Sequence, residues 1–180
     1  NMQKQWQYWK NPWLSLELKE DTKLDKMVNQ PPELSIVILN FNVRDLLLEC
    51  LESVFKNRGK KDRWQVIVVD NASGDGSVEA VKDKFTEVQV VENKKNLGFA
   101  AGNNCAIPKV LAPVVLFLNP DTLVIDGAIS KSLQYLLSSP DIGALTCRVE
   151  LPNGKLDYSC HRGFPTPWNS LAYFSGLAKA

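Results

Sequence analysis

Along the middle of the chain, short apolar runs alternate with segments in which apolar residues recur at helical spacing. Four apolar runs are expected to be strands: Leu34–Leu39, Val66–Val69, Val88–Val91 and Val114–Leu118. Val66–Val69 suits a strand that is buried on both faces, and Val114–Leu118 is expected to be buried as well. Between the first two runs, the i, i+4, i+7 spacing of Leu47, Leu51 and Val54 predicts an amphipathic helix. The alternation predicts an α/β domain, with a mostly parallel sheet and helices on both of its faces.

Residues that favour helix ends and turns set the expected bounds of the other elements. Asn42 is well placed to N-cap the helix that starts at Val43. After the fourth strand, a Pro-Asn-Gly turn between Gly143–Glu150 and Leu156–Cys160 predicts a C-terminal hairpin. The remaining helices are expected at Ser77–Lys84, Phe99–Ile107 and Ala128–Leu137.

The second strand is followed at once by a polar, glycine-containing segment, and the carboxyl ends of strands are where open α/β sheets bind ligands. Its Gly74-Asp75-Gly76 lacks the third glycine of a dinucleotide fingerprint and the Gly-Lys-Ser/Thr of a P-loop. The oxygen ligands of a calcium loop are also missing at alternate positions. A tight strand-to-helix turn, capped by Ser77 or Asp75, remains an equal alternative to a binding site.

The fourth strand ends in Asn119-Pro120-Asp121, which allows two interpretations. A carboxylate at the end of a buried strand can hold a divalent cation, and the cation can neutralise a diphosphate. Alternatively, Pro120 occupies the second position of a type I turn and Asp121 lies free in solvent.

Composition adds little evidence for a particular partner. The 180 residues carry a net charge of +1 without a basic stripe, so nothing in the sequence indicates a nucleic-acid partner. The longest apolar run, Val114–Leu118, is too short to cross a bilayer. Residues 1–30 are polar and charged, and we therefore expect no signal peptide and a cytoplasmic location. The four cysteines form no Cys-x-x-Cys pair and are expected to be buried free thiols in a reducing cytoplasm rather than zinc ligands: Cys50, Cys105, Cys147 and Cys160.

Residues 1–33 are predicted to form an N-terminal arm that ends at Pro31-Pro32. Its tryptophans recur at helical spacing, but Pro12 interrupts the helix that would place them on one side. They are Trp6, Trp9 and Trp13. We favour packing of these rings on the rest of the protein. An interfacial anchor for peripheral membrane association, helped by Lys4 and Lys10, is the alternative.

Four motifs in a fixed order resemble those of family 2 glycosyltransferases, and most of all those of the rhamnosyltransferase-like branch. They are Leu-Ser-Ile-Val-Ile-Leu-Asn-Phe-Asn from residue 34, Val-Ile-Val-Val-Asp-Asn-Ala-Ser-Gly-Asp-Gly-Ser from 66, Asn-Leu-Gly-Phe-Ala-Ala-Gly-Asn-Asn from 96 and Leu-Phe-Leu-Asn-Pro-Asp-Thr from 116. The resemblance implies a GT-A fold over residues 34–160 that binds a nucleotide-sugar. It also implies that 161–180 begin the acceptor-side region, and that the rest of that half lies outside this sequence.

The resemblance implies roles for nine residues. Phe41 falls where an aromatic ring stacks on the pyrimidine, and Asn71 falls where a side-chain oxygen accepts the pyrimidine N3–H. Asp121 matches the last aspartate of the family's Asp-x-Asp and would bind Mg²⁺ or Mn²⁺ directly. The other nucleotide-binding positions lie beside the base or ribose, in the segment that closes over the donor, or at the first position of Asp-x-Asp: Asn40 and Asp70; Asn96, Gly98 and Asn104; and Asn119.

The implied reaction is inverting transfer of a sugar, with rhamnose as one candidate, from a dTDP- or UDP-linked donor. The acceptor is a saccharide or a lipid-linked saccharide of cell-surface polysaccharide synthesis, at the inner face of the membrane. No residue here matches the family's general base, since Asp141 and Asp157 correspond to nothing catalytic. A non-catalytic nucleotide-sugar-binding module remains an alternative. A nucleotidyltransferase is another, although the segment from Asn40 to Arg44 is not its glycine-rich, basic loop.

Overall fold

The fold is given by a computed structural model, which describes residues 30–157 and 166–175. Most of the predicted N-terminal arm, including its three tryptophans, lies outside the described residues. In chain order the elements are β1 (Leu34–Asn40), α1 (Arg44–Lys56), β2 (Trp64–Asp70), α2 (Ser77–Lys84), β3 (Gln89–Glu92), α3 (Gly98–Asn104), a 3₁₀ turn (Ile107–Lys109), β4 (Val114–Leu118), α4 (Ala128–Ser138) and α5 (Pro167–Phe174). The chain divides into two compact units, of which the first ends at Ser130 and the second begins at Lys131.

The four strands form a parallel sheet in the order β3-β2-β1-β4. In its register Asn40 lies opposite Asp70, and Asp70 lies opposite Glu92. On the other side of β1, Ile38 lies opposite Leu118. The last residues of neighbouring strands therefore meet at one edge of the sheet, as parallel pairing requires. The predicted α/β sheet is confirmed.

The sheet is covered on both faces because the strand order reverses after β3. Right-handed crossovers place α1 and α2 on one face and α3 on the other, and α3 contacts β1 and β2. On the α3 side, Val37, Ile67 and Val69 pack with Ala106, all buried. The α1 residues that face the sheet are fully buried, as their spacing predicts: Leu47, Leu51 and Val54.

Two predicted elements are shorter in the structure. The third helix ends at Asn104, because Pro108 has no N–H to donate to a carbonyl one turn earlier, and it begins a separate 3₁₀ turn instead. The segment Gly143–Glu150 forms no strand. The C-terminal hairpin is reduced, in the described residues, to one antiparallel bridge between Glu150 and Leu156. Gly143 lies where a longer strand was expected, and glycine is a poor strand former.

None of the helices in the described parts of the chain combines the length and the apolar character that a bilayer crossing needs.

Candidate functional site

Asn40 and Asp70 close the carboxyl ends of β1 and β2 with a buried network of hydrogen bonds. Asn40 Nδ2 donates to Asp70 Oδ1 at 2.8 Å and to Ser73 Oγ at 3.0 Å. Asp70 Oδ2 accepts from the Ser73 backbone N–H at 2.8 Å. Both oxygens of the buried Asp70 carboxylate are thus engaged in holding the turn after β2. Asn40 Oδ1 is buried and has no hydrogen-bond partner within the protein. A buried acceptor of this kind calls for a water or a ligand donor.

The N-terminus of α1 is capped from the neighbouring loop and not by Asn42, so the predicted Asn42 cap is wrong. The N-cap position belongs to Val43, without a side-chain cap of its own. Asn42 has φ 54°, and its Oδ1 accepts from the Gly74 N–H at 2.8 Å. The first helical N–H, that of Arg44, donates to Asp75 Oδ2 at 2.9 Å. Asn42, with its left-handed backbone, bonds the loop after β2, and Asp75 accepts from one of the first N–H groups of α1, that of Arg44.

Asp75 also holds the start of α2. Its Oδ1 accepts from the Ser77 N–H at 3.1 Å and from the Ser77 hydroxyl. One carboxylate therefore connects the first turns of two helices, which confirms the Asp75 capping interpretation of this turn. Partial burial acts to raise the pKa of the Asp75 carboxyl. The Ser77 hydroxyl and the backbone N–H groups of Arg44 and Ser77 outweigh this effect and hold the pKa below 3.8.

Asn71 is the centre of a cluster of amides between β2 and α3. It is buried, and its Oδ1 accepts from Asn93 Nδ2 at 2.9 Å. Its Nδ2 donates to Asn96 Oδ1 and to the Gly98 carbonyl, both at 3.2 Å. Asn96 Oδ1 also accepts from the Gly98 N–H at 2.8 Å. The structure thus brings together three of the predicted residues and adds Asn93, for which the sequence carried no signal beyond its residue type.

Gly102 makes the cluster geometrically possible. A Cβ at this position would lie 2.6 Å from Leu39 Cδ1 and 2.9 Å from Asn71 Nδ2. Only a glycine lets α3 approach β1 and Asn71 this closely. A glycine in the interior of a predicted helix can indicate that another element approaches closely there, and this was the feature of the sequence that pointed to the contact.

Two further predicted residues lie on the surface of this region. Phe41, just after β1, is 45 % exposed. Asn104, the last residue of α3, is exposed as well. The buried asparagine of α3 is the preceding residue, Asn103, whose Nδ2 donates to the Phe99 carbonyl at 3.0 Å. Phe41 therefore remains accessible to a ligand, whereas Asn104 lies outside the buried amide cluster.

Asn119 and Asp121 are exposed in a turn directly after β4. The Thr122 N–H donates to the Asn119 carbonyl at 3.3 Å, which is the bond of a β-turn with Pro120 in its second position. The described residues contain no group of three or more His, Cys, Asp or Glu side chains that could hold a metal ion. Asp121 can supply one carboxylate oxygen, which fits a Mg²⁺ or Mn²⁺ ion whose other ligands are phosphates and waters.

Cys50 of α1 lies beneath this turn. Its buried Sγ donates to the Asn119 carbonyl at 3.6 Å. Burial raises the pKa of the Cys50 thiol to about 12; the Asp121 charge acts in the same direction and a hydrogen bond from the Thr122 backbone acts against it. The thiol stays protonated and can donate. Cys50, Cys105 and Cys147 are free, as predicted, and Cys160 lies outside the described residues. The predicted burial is confirmed for Cys50 and wrong for Cys105 and Cys147, which are partly exposed.

Each loop that follows β1, β2 or β4 contains one non-glycine residue in the left-handed region. These residues are Asn42 with φ 54°, Ala72 with φ 62° and Asp126 with φ 50°. Such conformations cost about 1–3 kcal/mol each and cluster at functional sites. The three loops are therefore held in shapes that their own sequences do not favour.

Solved structures of other proteins identify the fold of this chain. The mannosyltransferase PcManGT from Pyrobaculum calidifontis, solved in complex with GDP-Man and Mn²⁺, matches 76 % of this chain and 44 % of its own, with a TM-score of 0.61 and 22 % identity. TarS 1–349 of S. aureus in complex with UDP-GlcNAc matches 59 % of this chain and 31 % of its own, with a TM-score of 0.53 and 22 % identity. The chain has the GT-A glycosyltransferase fold.

The family follows from the sequence itself. The model of glycosyl transferase family 2 matches residues 35–178, and the chain belongs to this family. A poly(ribitol-phosphate) beta-glucosyltransferase of Bacillus spizizenii is 33 % identical over 51 % of this chain and 15 % of its own length. The O-antigen chain rhamnosyltransferase RfbN of Salmonella typhimurium is 27 % identical over 67 % of this chain and 38 % of its own. The chain spans less than half the length of the first curated relatives it matches.

Proposed function

We propose that the chain is the donor-binding part of a glycosyltransferase that acts in cell-surface polysaccharide synthesis. The donor is a dTDP- or UDP-linked sugar, and the acceptor is a saccharide or a lipid-linked saccharide. The observation that carries the proposal is the meeting of three loops at one edge of the sheet, where Phe41, the Asn71 cluster and Asp121 lie in loops that follow adjacent strands. The relatives named for ribitol-phosphate glucosylation and O-antigen rhamnosylation support the polysaccharide context and keep rhamnose as a candidate sugar.

In this proposal, the nucleotide lies across the carboxyl ends of β1 and β2. The exposed Phe41 ring stacks on the pyrimidine. The unpartnered Oδ1 of Asn40 accepts a hydrogen bond from the base, the ribose or an ordered water. Asp70 acts by holding this oxygen in place, since both of its own oxygens are already occupied.

Asn71 places the segment that closes over the donor. Its Oδ1 already accepts from Asn93, and the second lone pair of this oxygen is the one that would receive the pyrimidine N3–H. Its Nδ2 fixes Asn96 and Gly98 at the start of α3, on the side where the donor sugar lies. Asn104, exposed at the end of α3, is assigned to the same segment.

Asp121 would hold Mg²⁺ or Mn²⁺, with Asn119 beside it at the first position of Asp-x-Asp. When bound, the cation supplies positive charge that stabilises the departing nucleoside diphosphate. In the inverting reaction a carboxylate takes the proton of the acceptor hydroxyl. The hydroxyl oxygen forms the new bond to the anomeric carbon as the bond to the diphosphate oxygen breaks. No described residue is assigned as that base.

The proposed domain organisation follows from these roles. Residues 34–160 bind the donor, residues 161–180 begin the acceptor side, and residues 1–33 form an arm. We place the reaction in the cytoplasm, at the inner face of the membrane, because that is where the resemblance places lipid-linked acceptors.

A thermal-shift panel of UDP-, GDP- and dTDP-sugars, each with and without Mn²⁺, tests the proposal. We expect stabilisation by pyrimidine donors that increases with Mn²⁺, since a ligand present at 100 times its Kd stabilises by about 2.7 kcal/mol. Equal melting temperatures with all donors would contradict it. Hydrolysis of the stabilising donor by a longer chain then separates an enzyme from a non-catalytic binding module.

A further inference from the structure

One face of α1 carries a row of polar side chains that point to a loop far away in the sequence. Cys50 and Ser53 of α1 and Asn57, the C-cap residue that directly follows it, are spaced by three and four residues and so lie on one side of the helix. They are here called the α1 stripe. The Ser53 hydroxyl donates to the Cys50 carbonyl at 2.7 Å and accepts from the Val124 N–H at 2.9 Å. A single hydroxyl thus connects α1 to a buried residue 71 positions further along the chain.

The other two residues of the stripe contact the same loop through its backbone. Asn57 Nδ2 donates to the Val124 carbonyl at 2.8 Å, and Asn57 Oδ1 accepts from the Gly127 N–H at 3.3 Å. Cys50 Sγ donates to the Asn119 carbonyl at 3.6 Å. The contacts extend from the first residue of the loop, Asn119, to its last, Gly127. They use only backbone atoms of the loop, so they fix its path whatever its side chains are.

Within the loop of residues 119–127 and at its end, the Thr122 N–H donates to the Asn119 carbonyl and the Ala128 N–H donates to the Ile125 carbonyl. Val124 is the loop's one apolar side chain that is buried in the described structure, whereas Leu123 and Ile125 are 60 % and 56 % exposed. Asp126 adopts a left-handed conformation, which aspartate tolerates better than most residues other than glycine. The hydrogen bonds that tie this loop to a distant part of the chain come from Cys50, Ser53 and Asn57.

We propose that the α1 stripe positions Asp121 for cation binding by fixing both ends of the loop that carries it. The inference rests on the proposed function in one respect, namely that Asp121 is the cation ligand. Cys50, Ser53 and Asn57 are positioning residues and touch neither the cation nor the donor. Among the described residues, Asp121 is the one carboxylate proposed as a cation ligand, so no second carboxylate there compensates for its displacement. Loss of a group that orients a metal ligand weakens metal affinity by about 10–100-fold. Because the stripe acts on Asp121 through the backbone of its loop, we expect an effect at the lower end of this range.

The test measures Mn²⁺ binding to the full chain in the presence of UDP, by the loss of the electron paramagnetic resonance signal of free Mn²⁺. We expect Ser53→Ala to weaken Mn²⁺ affinity about 10-fold, with UDP affinity in the absence of metal unchanged. Ser53→Thr retains the hydroxyl and is expected to retain the affinity. Hydrogen exchange is expected to rise in residues 119–127 and not in β1 or β2.

Ser35→Ala is the matched control. Ser35 is buried, whereas Ser53 is half-buried. The Ser35 hydroxyl donates to Gln65 and accepts from the Ala112 N–H at 3.2 Å, in the loop before β4 instead of after it. We expect this variant to lose thermal stability without a change in Mn²⁺ affinity. If Ser53→Ala does not fold, Asn57→Ala, at the half-exposed end of α1, gives the same readout.

The outcomes separate the two proposals. If Asp121→Ala abolishes Mn²⁺ binding while Ser53→Ala and Asn57→Ala bind it as the parent chain does, the stripe does not position the carboxylate and the proposed cation site stands. The inference is also wrong if Ser35→Ala weakens Mn²⁺ binding as much as Ser53→Ala does. If Asp121→Ala binds Mn²⁺ normally, the proposed cation site is wrong and the inference fails with it.

Discussion

At the scale of single residues, Gly102 is, among the glycines that the structure describes, the one where an added Cβ would make the closest contact. A methyl group there would meet Leu39 and the Asn71 amide. Leu39 can move its side-chain end, but Asn71 is held by hydrogen bonds to three neighbours. We expect Gly102→Ala to lower the free energy of unfolding by about 1–3 kcal/mol, although alanine is the better helix former. Urea denaturation measures this loss.

Gly74→Ala is the control for that variant, because a Cβ at Gly74 meets nothing within 4 Å. We expect its stability to remain close to that of the parent chain. If Gly102→Ala is as stable as Gly74→Ala, the close packing of α3 on Asn71 is not a constraint on the fold.

Phe41 is expected to contribute to binding and little to stability, since almost half of its surface is exposed. Phe41→Ala should weaken UDP binding by about 1–3 kcal/mol, the range for an aromatic ring stacked on a base. Calorimetry measures the difference. Leu46→Ala removes a side chain of equal exposure, 46 %, from α1 and should bind UDP as the parent does. Equal affinity of the two variants would remove Phe41 from the site.

The sequence predicted residue types at the site better than it predicted their partners. Asn40, Asp70 and Asn71 were placed at strand ends because apolar runs mark where buried strands stop. The sequence did not predict that Asn42 binds Gly74 or that Asp75 caps α1. Both contacts join residues more than 30 positions apart in the chain. A left-handed backbone at Asn42 decides these contacts, and residue identity alone does not fix that conformation.

At the scale of secondary-structure elements, Asp75 couples α1 to α2, and this coupling depends on pH. Because the pKa of the Asp75 carboxyl is lower in the folded chain than 3.8, its contribution to stability is complete above that value. It is lost as the pH falls through the lower, folded-state pKa. We expect Asp75→Asn to lower the free energy of unfolding at pH 6. As the pH falls, the free energy of unfolding should decrease less steeply in this variant than in the parent.

Urea unfolding between pH 6 and pH 2.5 tests the Asp75 prediction. Asp45→Asn is the control. Asp45 lies in the first turn of α1, the turn that Asp75 caps, but its carboxylate pairs with the Arg44 side chain at the surface. An acid limb that is equally steep in Asp75→Asn and the parent would show that Asp75 does not couple the two helices.

Element boundaries were predictable where pattern and packing agree. The strands β1, β2 and β4 were marked by apolar runs, and α1 was marked by a face that the sheet covers. β1 and β2 are buried as predicted, but β4 is half-buried and its Phe117 is 51 % exposed, so the prediction of a buried fourth strand is wrong. The third helix was predicted too long, since the alanine-rich pattern continues past Asn104 while Pro108 removes a backbone donor. The hairpin after residue 143 was predicted too regular, because turn residues fix a reversal of the chain but not a ladder of strand bonds.

At the scale of the whole molecule, the proposed donor site lies at the edge of the sheet where the parallel strands end. Parallel pairing brings the loops after β1, β2 and β4 together, and the site is a consequence of the strand order. The sequence motifs predicted that these loops meet, because three of the motifs consist of an apolar run followed by polar residues, which are the end of a strand and the loop after it. The anchoring of the Asp121 loop on α1 was not predictable, since it depends on contacts between a helix and a loop about 70 residues later.

The central claim is that Asp121 holds the cation of a pyrimidine nucleotide donor, and calorimetric titration of UDP with and without Mn²⁺ tests it most directly. Asp126→Asn, which removes a charge from the same loop, is the control. We expect Mn²⁺ to tighten UDP binding in the parent and in Asp126→Asn. In Asp121→Ala this gain should be absent while metal-free binding persists. An undiminished Mn²⁺-dependent gain in Asp121→Ala would contradict the account.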